Sequence, residues 1–327
     1  MKPKVFITRP VGDEAIQMLA AHCEVACNPR DEPLTPDELA ENLRQADGLM
    51  ITGARLTADV IAQAPRLRAV SNVGVGYDNI DLAACTARRI PVTRTVGVVE
   101  EATADLAFGL LLAAARRLAE ADRYVRDKQW RQWHWKLLWG TDVHQKTLGI
   151  YGFGRIGQAV ARRARGFSMR VIYYSSRQAS ETVERELGAQ YVDCDALLAQ
   201  SDFLSLHVPL TAATRHLIGA AELARMKPSA ILINTARGPI ADEEALVAAL
   251  ESRQIAGAAL DVFEHEPHVH PTLLSLPNVV LAPHIGSATG ETRAAMARSA
   301  AQNLLDLLEG KRPATLLNPD TLTRSET

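Results

Sequence analysis

The chain is organised around Gly152-Phe153-Gly154-Arg155-Ile156-Gly157. An apolar run, Leu148–Tyr151, leads into these residues, and a helix-like segment, Gln158–Arg165, leads out. Strand, glycines at G-x-G-x-x-G spacing, then helix is the arrangement that holds a dinucleotide pyrophosphate. Gly152 permits the tight turn, Gly154 lets the backbone approach the phosphates, and Gly157 lets the helix pack against its strand. The amides at the helix start, with the positive end of its dipole, face the anion. Glycine-rich turns are common, so the weight comes from the strand before and the helix after.

Such a turn needs a sheet, and the chain supplies two. Before it, strands are expected at Val5–Ile7, Glu24–Ala26, Gly48–Thr52, Leu67–Val73 and Val92–Thr93. Helices are expected at Asp13–Ala21, Pro36–Ala46 (capped by Thr35), Ala58–Ala64 and Ile80–Arg89. After Lys146 a second alternation gives strands at Leu148–Tyr151, Arg170–Tyr174, Tyr191–Val192, Phe203–Val208, Ala230–Asn234, Gly257–Leu260 and Val279–Leu281. Its helices are Gln158–Arg165, Ser180–Leu187, Asp195–Gln200, Ala220–Met226 and Glu243–Ser252. Short strands alternating with helices imply an α/β fold with parallel sheets covered on both faces. A length of 327 residues favours two domains. The last helix, Glu291–Glu309, has no home that the sequence alone assigns.

Between the two alternations lies one expected helix, Val99–Lys128, apolar on most sides at Leu106–Ala115. All four tryptophans follow it, at Trp130, Trp133, Trp135 and Trp139. Core packing or a subunit contact is the preferred reading, with a lid over a site or an oligomer interface as the alternative.

With 47% hydrophobic and 23% charged residues the chain can bury a large core. A net charge of -2 gives no global pull toward nucleic acid or an anionic membrane. The longest apolar run, Leu106–Ala115, is well short of the roughly 20 residues of a membrane span, and Met1–Pro10 does not read as a signal peptide. Cys23, Cys27, Cys85 and Cys194 show no C-x-x-C spacing and read as small core residues in a reducing cytosol, hence a cytoplasmic protein.

Three groups of residues bear on chemistry. After the second strand of the glycine-turn domain comes Ser175-Ser176-Arg177, with Ser175 placed 18 residues after Gly157. An acid about 20 residues on would grip the adenosine ribose hydroxyls. Without that acid, Ser176 can donate to a 2′-phosphate and Arg177 can pair with it, so NADP(H) is favoured over NAD(H). The alternative is that Arg177 is a solvated loop charge. Second, Arg237, Asp261, Glu266 and His284 each follow an apolar strand run, on the rim where function is expected. An Arg, a Glu and a His together suit an acid–base site with an anion clamp. Third, Asn72–Asn79, with Val75 and Gly76, is either a plain glycine turn or a set of backbone amides for a small anion.

Gly152–Gly157, Asn234-Thr235-Ala236-Arg237-Gly238, Asp261–Pro267 and Pro283–Ser287 together resemble the motifs of the D-isomer-specific 2-hydroxyacid dehydrogenases. The 29 residues from Arg237 to Glu266 match that family, and the resemblance covers nearly the whole chain. Tyr77-Asp78-Asn79 and Gly140–Ile150 look most like the bacterial glyoxylate/hydroxypyruvate reductase (2-ketogluconate reductase) branch, which prefers NADPH. The resemblance implies two doubly wound parallel-sheet domains with the active site in the cleft. One is a flavodoxin-like substrate domain of residues 1–98 and 289–327, and the other a Rossmann cofactor domain of residues 99–288. The implied activity is NADPH-dependent reduction of glyoxylate, hydroxypyruvate or 2-keto-D-gluconate, with NAD(H) as the alternative cofactor.

By the same resemblance Arg237 would hold the substrate carboxylate and keto oxygen, with amides from Val75 and Gly76. His284 would give the proton, and Glu266 would hydrogen-bond and orient it. Asp261 would contact the nicotinamide amide, Thr103 would touch the cofactor, and His207-Val208-Pro209 would line the adenine side. Phe153, Arg155, Ile156, Thr235, Ala236 and Gly286 complete the cofactor set. A homodimer is implied, with Trp133 reaching toward a neighbouring site.

Other readings are weaker. Glu264, Glu266, His268 and His270 alternate, but their spacing fits no standard zinc pattern, so no metal is expected. Asp78 reads as a turn brace, and Arg162, Arg163 and Arg165 as a solvated helix face. Glutamate at 266, where a formate dehydrogenase of this family would carry glutamine, disfavours that activity. The competing function is a dinucleotide-sensing regulator, like the co-repressors that share the fold.

Overall fold

The computed structural model describes residues 1–322 of the chain. It divides into two units, Met1–Val99 with Ser287–Thr327, and Glu100–Gly286. Residues 323–327, the end of the expected substrate domain, lie outside the described residues.

In the first unit β1 (Lys4–Ile7), β2 (Glu24–Cys27), β3 (Gly48–Ile51), β4 (Ala69–Asn72) and β5 (Val92–Thr93) form a parallel sheet in the order β2-β1-β3-β4-β5. That is the flavodoxin-like order. Its helices are α1 (Asp13–His22), α2 (Pro36–Leu43), α3 (Ala58–Ala62), α4 (Leu82–Ala87) and the last helix of the chain, α13 (Gly290–Leu308). Leu49, Met50, Ile51, Ala69 and Val70 are fully buried, as central parallel strands covered on both faces must be. Start signals are local: Thr35 and Glu38 form a capping box at α2, with Pro36 at its first turn. α13 belongs here, with Ala300, Ala301 and Leu304 buried among Val5, Met50 and Ala69. The hydroxyl of Ser71 donates to the Ala300 carbonyl at 2.8 Å.

The second unit has seven parallel strands: β6 (Thr147–Tyr151), β7 (Arg170–Tyr174), β8 (Ala189–Tyr191), β9 (Phe203–Leu206), β10 (Ile231–Asn234), β11 (Gly257–Leu260) and β12 (Val279–Leu281). Their order is β12-β11-β10-β9-β6-β7-β8, so the chain reverses direction of travel beside β6, the strand that ends in the glycine turn. The helices are α5 (Glu100–Ala115), α6 (Leu118–Arg126), α7 (Arg155–Ala164), α8 (Glu181–Leu187), α9 (Cys194–Gln200), α10 (Ala220–Arg225), α11 (Glu243–Glu251) and α12 (Pro271–Ser275). Among the described residues no helix is long and apolar enough to cross a membrane.

The register of this sheet aligns the carboxyl ends of its strands. Tyr174, Tyr151, Leu206, Asn234, Leu260 and Leu281 pair in one continuous row across β7, β6, β9, β10, β11 and β12. The next residue on each strand is therefore Ser175, Gly152, His207, Thr235, Asp261 or Ala282. Five strand spacings of about 4.8 Å separate the ends of this rim, a track for an elongated ligand.

The structure corrects several expectations. The expected helix Val99–Lys128 is two helices, α5 and α6, with Arg117 left-handed (φ 53°) between them. The cause is tertiary: the Thr141 N–H takes the Ala115 carbonyl at 2.8 Å, and the backbone at Gly140 packs against it. α7 begins at Arg155 rather than Gln158, so Gly157 lies inside its first turn. α12 has no counterpart among the expected helices; Pro271 opens it after His270, whose ring accepts from the Thr272 N–H. The four tryptophans do not pack in the core of this chain, since each is more than half exposed. Nor is Arg163 a solvated charge, because its guanidinium bonds Glu101 and Asp105 of α5 at 2.8 and 2.6 Å.

Candidate active site

The glycine turn is built as the spacing requires. Gly152 has φ +95°, and a Cβ there would stand 2.6 Å from the His207 carbonyl oxygen and 2.7 Å from Val208 Cγ1. The His207-Val208-Pro209 segment therefore lies against the turn. A Cβ on Gly157 would collide with the Gly152 carbonyl, which is the close helix–strand approach. Gly154 is the first cap of α7, without a side-chain hydrogen bond, and a Cβ there would meet open space.

These features test whether a dinucleotide suits the site. α7 is ten residues long with no acid in its first turn, and among the described residues no side-chain hydrogen bond caps its start. On the same rim, Thr235 is buried and its Oγ1 has no hydrogen-bond partner among the described residues. A ligand acceptor or donor at that position would satisfy it. At the β7 end, Arg177 is exposed and enters no ion pair among the described residues. The residues fit the group.

His207 is partly buried. Its Nε2 lies 2.8 Å from the Oγ of buried Ser205, and burial pushes its pKa down to about 4, so it is a neutral ring beside the turn.

Beyond β10 the backbone of Arg237 is fixed by Asn234. The Asn234 amide donates to the Arg237 carbonyl at 2.9 Å, and its oxygen accepts from the Ala236 N–H at 3.0 Å. Asn234 itself is buried, so this staple is rigid.

Beyond β11 and β12 the structure brings Asp261, Glu266 and His284 together. His284 Nδ1 lies 2.8 Å from Glu266 Oε2, and Glu266 Oε1 accepts from the Phe263 N–H at 3.1 Å. Burial opposes the charge on Glu266. The hydrogen bond and charge of His284 outweigh it, aided by the Phe263 N–H and the Arg237 charge, and the carboxyl sits below its usual range. His284 is itself held in a left-handed conformation, φ 55°. Asp261 imposes it: its carbonyl accepts from the His284 N–H at 2.8 Å, and its two carboxylate oxygens accept from Ile285 and Gly286 at 2.7 and 2.8 Å. Asp261 is 1% exposed, and burial pushes its pKa up despite those bonds. Thr103 of α5 lies beside this turn: a Cβ on Gly286 would be 3.5 Å from Thr103 Cγ2.

In the first unit, Asn72 organises the Gly74–Gly76 loop. Its side-chain amide donates to the Gly74 and Gly76 carbonyls at 3.1 and 2.6 Å. The alternating Glu264–His270 segment is otherwise employed. Glu264 accepts from the Glu243 N–H at 3.3 Å and lies 2.6 Å from His216 Nε2. Neither Asn72 and Asn234 as staples nor Asp261 as the template for His284 is foreseen from the sequence. The signal available for the staples is only that each Asn ends a buried strand ahead of a turn.

One end of the rim suits a dinucleotide and the other carries an acid–base pair, which is the equipment of a dinucleotide-dependent oxidoreductase. The chain belongs to the D-isomer-specific 2-hydroxyacid dehydrogenase family. The family model "D-isomer specific 2-hydroxyacid dehydrogenase, NAD binding domain" matches residues 108–286. The chain is 50% identical to the glyoxylate reductase of Thermococcus litoralis over 332 aligned positions, covering 99% of both chains. It is 48% identical to that of Pyrococcus furiosus, covering 98% of this chain and 97% of the relative. Among solved structures it resembles the NADPH-dependent glyoxylate/hydroxypyruvate reductase of Sinorhizobium meliloti in complex with NADP and malonate. That match has a TM-score of 0.88, 33% identity and full coverage of both chains.

Proposed function

We propose that this enzyme reduces small 2-keto acids, glyoxylate first among them and hydroxypyruvate or 2-keto-D-gluconate as further candidates, with NADPH as the preferred reductant. The carrying observation is the alignment of the rim. Ser175, Gly152, His207, Thr235 and Asp261 follow one hydrogen-bonded row, and the His284–Glu266 pair stands at its far end.

In this reading the amides at the start of α7 hold the pyrophosphate, and Ser175, Ser176 and Arg177 hold the adenosine ribose and its 2′-phosphate. Thr103, Phe153, Arg155, Ile156, Val208, Pro209, Ala236 and Gly286 complete the cofactor site. When bound, the dihydronicotinamide supplies the hydride. Asp261 accepts from its carboxamide. Arg237 clamps the substrate carboxylate and polarises the keto oxygen, as a planar guanidinium does well. Val75 and Gly76 offer further amides to the carboxylate. Glu266 holds the His284 ring through Nδ1, leaving Nε2 to give its proton to the keto oxygen.

The enzyme is proposed to be cytoplasmic and homodimeric. The relatives named glyoxylate reductase support catalysis over the regulatory reading, since the likeness spans nearly the whole chain. An assay of NADPH and NADH oxidation with glyoxylate, hydroxypyruvate and 2-ketogluconate tests it. Turnover of none of them, with cofactor binding intact, would overturn the substrate assignment.

A further inference from the structure

The Ser175–Ala179 loop is fastened by the side chains of Tyr173, Gln178, Glu184 and Tyr191. The hydroxyl of Tyr173, on β7, accepts from the Ala179 N–H at 2.8 Å and donates to Glu184 Oε1 at 2.6 Å. Gln178 Nε2 donates to the same Glu184 oxygen at 3.0 Å, and the Tyr191 hydroxyl donates to the Ser175 carbonyl at 3.4 Å. The loop is thus pinned at Ser175 and at Gln178–Ala179. Ser176 and Arg177 are the two residues between the pins, and both are exposed.

The same tyrosine reaches the glycine turn. Its ring is fully buried and stacks on Phe153, with centroids 3.8 Å apart and planes at 17°. Phe153 is the second residue of Gly152–Gly157. Burial, with the Glu184 hydrogen bond, pushes the phenol up to about 12, so it stays a donor. Hydrogen bonds from Tyr173 and Gln178 hold Glu184 below its usual range, so it stays an acceptor.

We propose that Tyr173, acting with Glu184, is a positioning residue for cofactor choice. It ties the loop after β7 to the glycine turn and so fixes the shape in which Ser176 and Arg177 meet a 2′-phosphate. This rests on the NADPH reading of that loop. A ring that only filled the core would affect both cofactors alike, because the pyrophosphate and nicotinamide are common to them. A hydroxyl that shapes only the phosphate-bearing loop acts on one.

The experiment compares the wild-type enzyme with Tyr173→Phe, Glu184→Gln, Glu184→Ala and Arg177→Ala. The readouts are KM for NADPH and NADH, kcat at saturation, and hydrogen exchange of the 175–179 amides without cofactor. Tyr173→Phe keeps the stack and loses the hydroxyl. It should raise KM for NADPH about fivefold, what one net hydrogen bond is worth, with NADH and kcat little changed and the Ala179 amide exchanging faster. The two Glu184 variants remove the same charge, but only Gln keeps an acceptor for Tyr173. KM for NADPH should therefore be higher in the Ala variant, and this comparison decides the matter if Tyr173→Phe does not fold. Equal changes for both cofactors in Tyr173→Phe, or equal KM values in the two Glu184 variants, while Arg177→Ala remains selective for NADPH, would overturn the role of Tyr173 and leave the phosphate reading standing. Loss of selectivity in Arg177→Ala itself would remove the phosphate reading and this proposal with it.

Discussion

Glu266 binds the Nδ1 of His284 at 2.8 Å, so the imidazole has only Nε2 left for a substrate. Glu266→Gln keeps the shape of the pair and loses the charge. The ring then loses the charged partner that orients it, and kcat at neutral pH should fall by about tenfold or more. The check is kcat at saturating glyoxylate and cofactor. A kcat that stays at the wild-type level would remove Glu266 from the proton-donating pair.

The same carboxylate links stability to pH. Its folded pKa is depressed by His284, the Phe263 N–H and Arg237 against the opposing effect of burial. A depressed carboxyl stabilises the fold above its unfolded value, about 4.3, and loses that contribution as pH falls through the folded one. Partial exposure keeps the effect small. Wild type should therefore melt above Glu266→Gln at pH 6, and the gap should narrow as pH falls below the unfolded value of about 4.3. Scanning calorimetry across that range reads it directly, and a gap widening toward acid would contradict the assignment.

Arg237 is set by a buried Asn234 staple that fixes its backbone on both sides. A clamp that depends on a planar, forked donor should not accept an ammonium. Arg237→Lys should lose about a hundredfold or more in kcat/KM for glyoxylate while the affinity for the cofactor holds. Near-normal turnover in the lysine variant would mean that the clamp lies elsewhere.

Much of the fold is legible because parallel strands buried on both faces are written as apolar runs, such as Ile231-Leu232-Ile233. The glycine turn is legible because two of its glycines meet backbone that no side chain could share. What escapes has tertiary causes. Nothing in Arg116-Arg117 stops a helix; the stop comes from Thr141, a residue that reaches Ala115 only once folded. Few histidines are left-handed and no neighbour in sequence marks this one, so the conformation of His284 is visible only with Asp261 in place. Tyr173 reads as one more buried strand residue, and its hydroxyl contacts depend on where α8 lies. The tryptophans mislead for the opposite reason, since aromatic content reads as core although no core of this chain covers them.

Those tryptophans set a prediction about assembly. Trp133 and Trp135 meet edge to face at 5.9 Å on an exposed segment. If the second copy of the proposed homodimer covers them, Trp133→Ala with Trp135→Ala should shift the enzyme from dimer to monomer in light scattering at micromolar concentration. A wild-type enzyme that is already monomeric would dispose of the dimer.

Asp261 offers the sharpest separation of binding from chemistry. Both its carboxylate oxygens accept backbone N–H groups, from Ile285 at 2.7 Å and Gly286 at 2.8 Å. In Asp261→Asn one of those oxygens becomes an NH2 group facing another N–H donor. The buried turn then loses a charge-assisted bond and gains a repulsion, and the left-handed His284 is held less firmly, by the backbone carbonyl and the remaining side-chain oxygen. The cost of such a bond, about 1.5–3 kcal/mol, corresponds to roughly a tenfold to hundredfold fall in kcat if it is spent on His284. An aspartate that only receives the nicotinamide carboxamide predicts a different pattern, with KM for the cofactor rising and kcat at saturation little changed. Measuring both cofactor affinity and kcat in Asp261→Asn separates the two: a fall in kcat with retained affinity assigns Asp261 to the histidine, and weakened affinity with kcat retained at saturating cofactor assigns it to the cofactor alone.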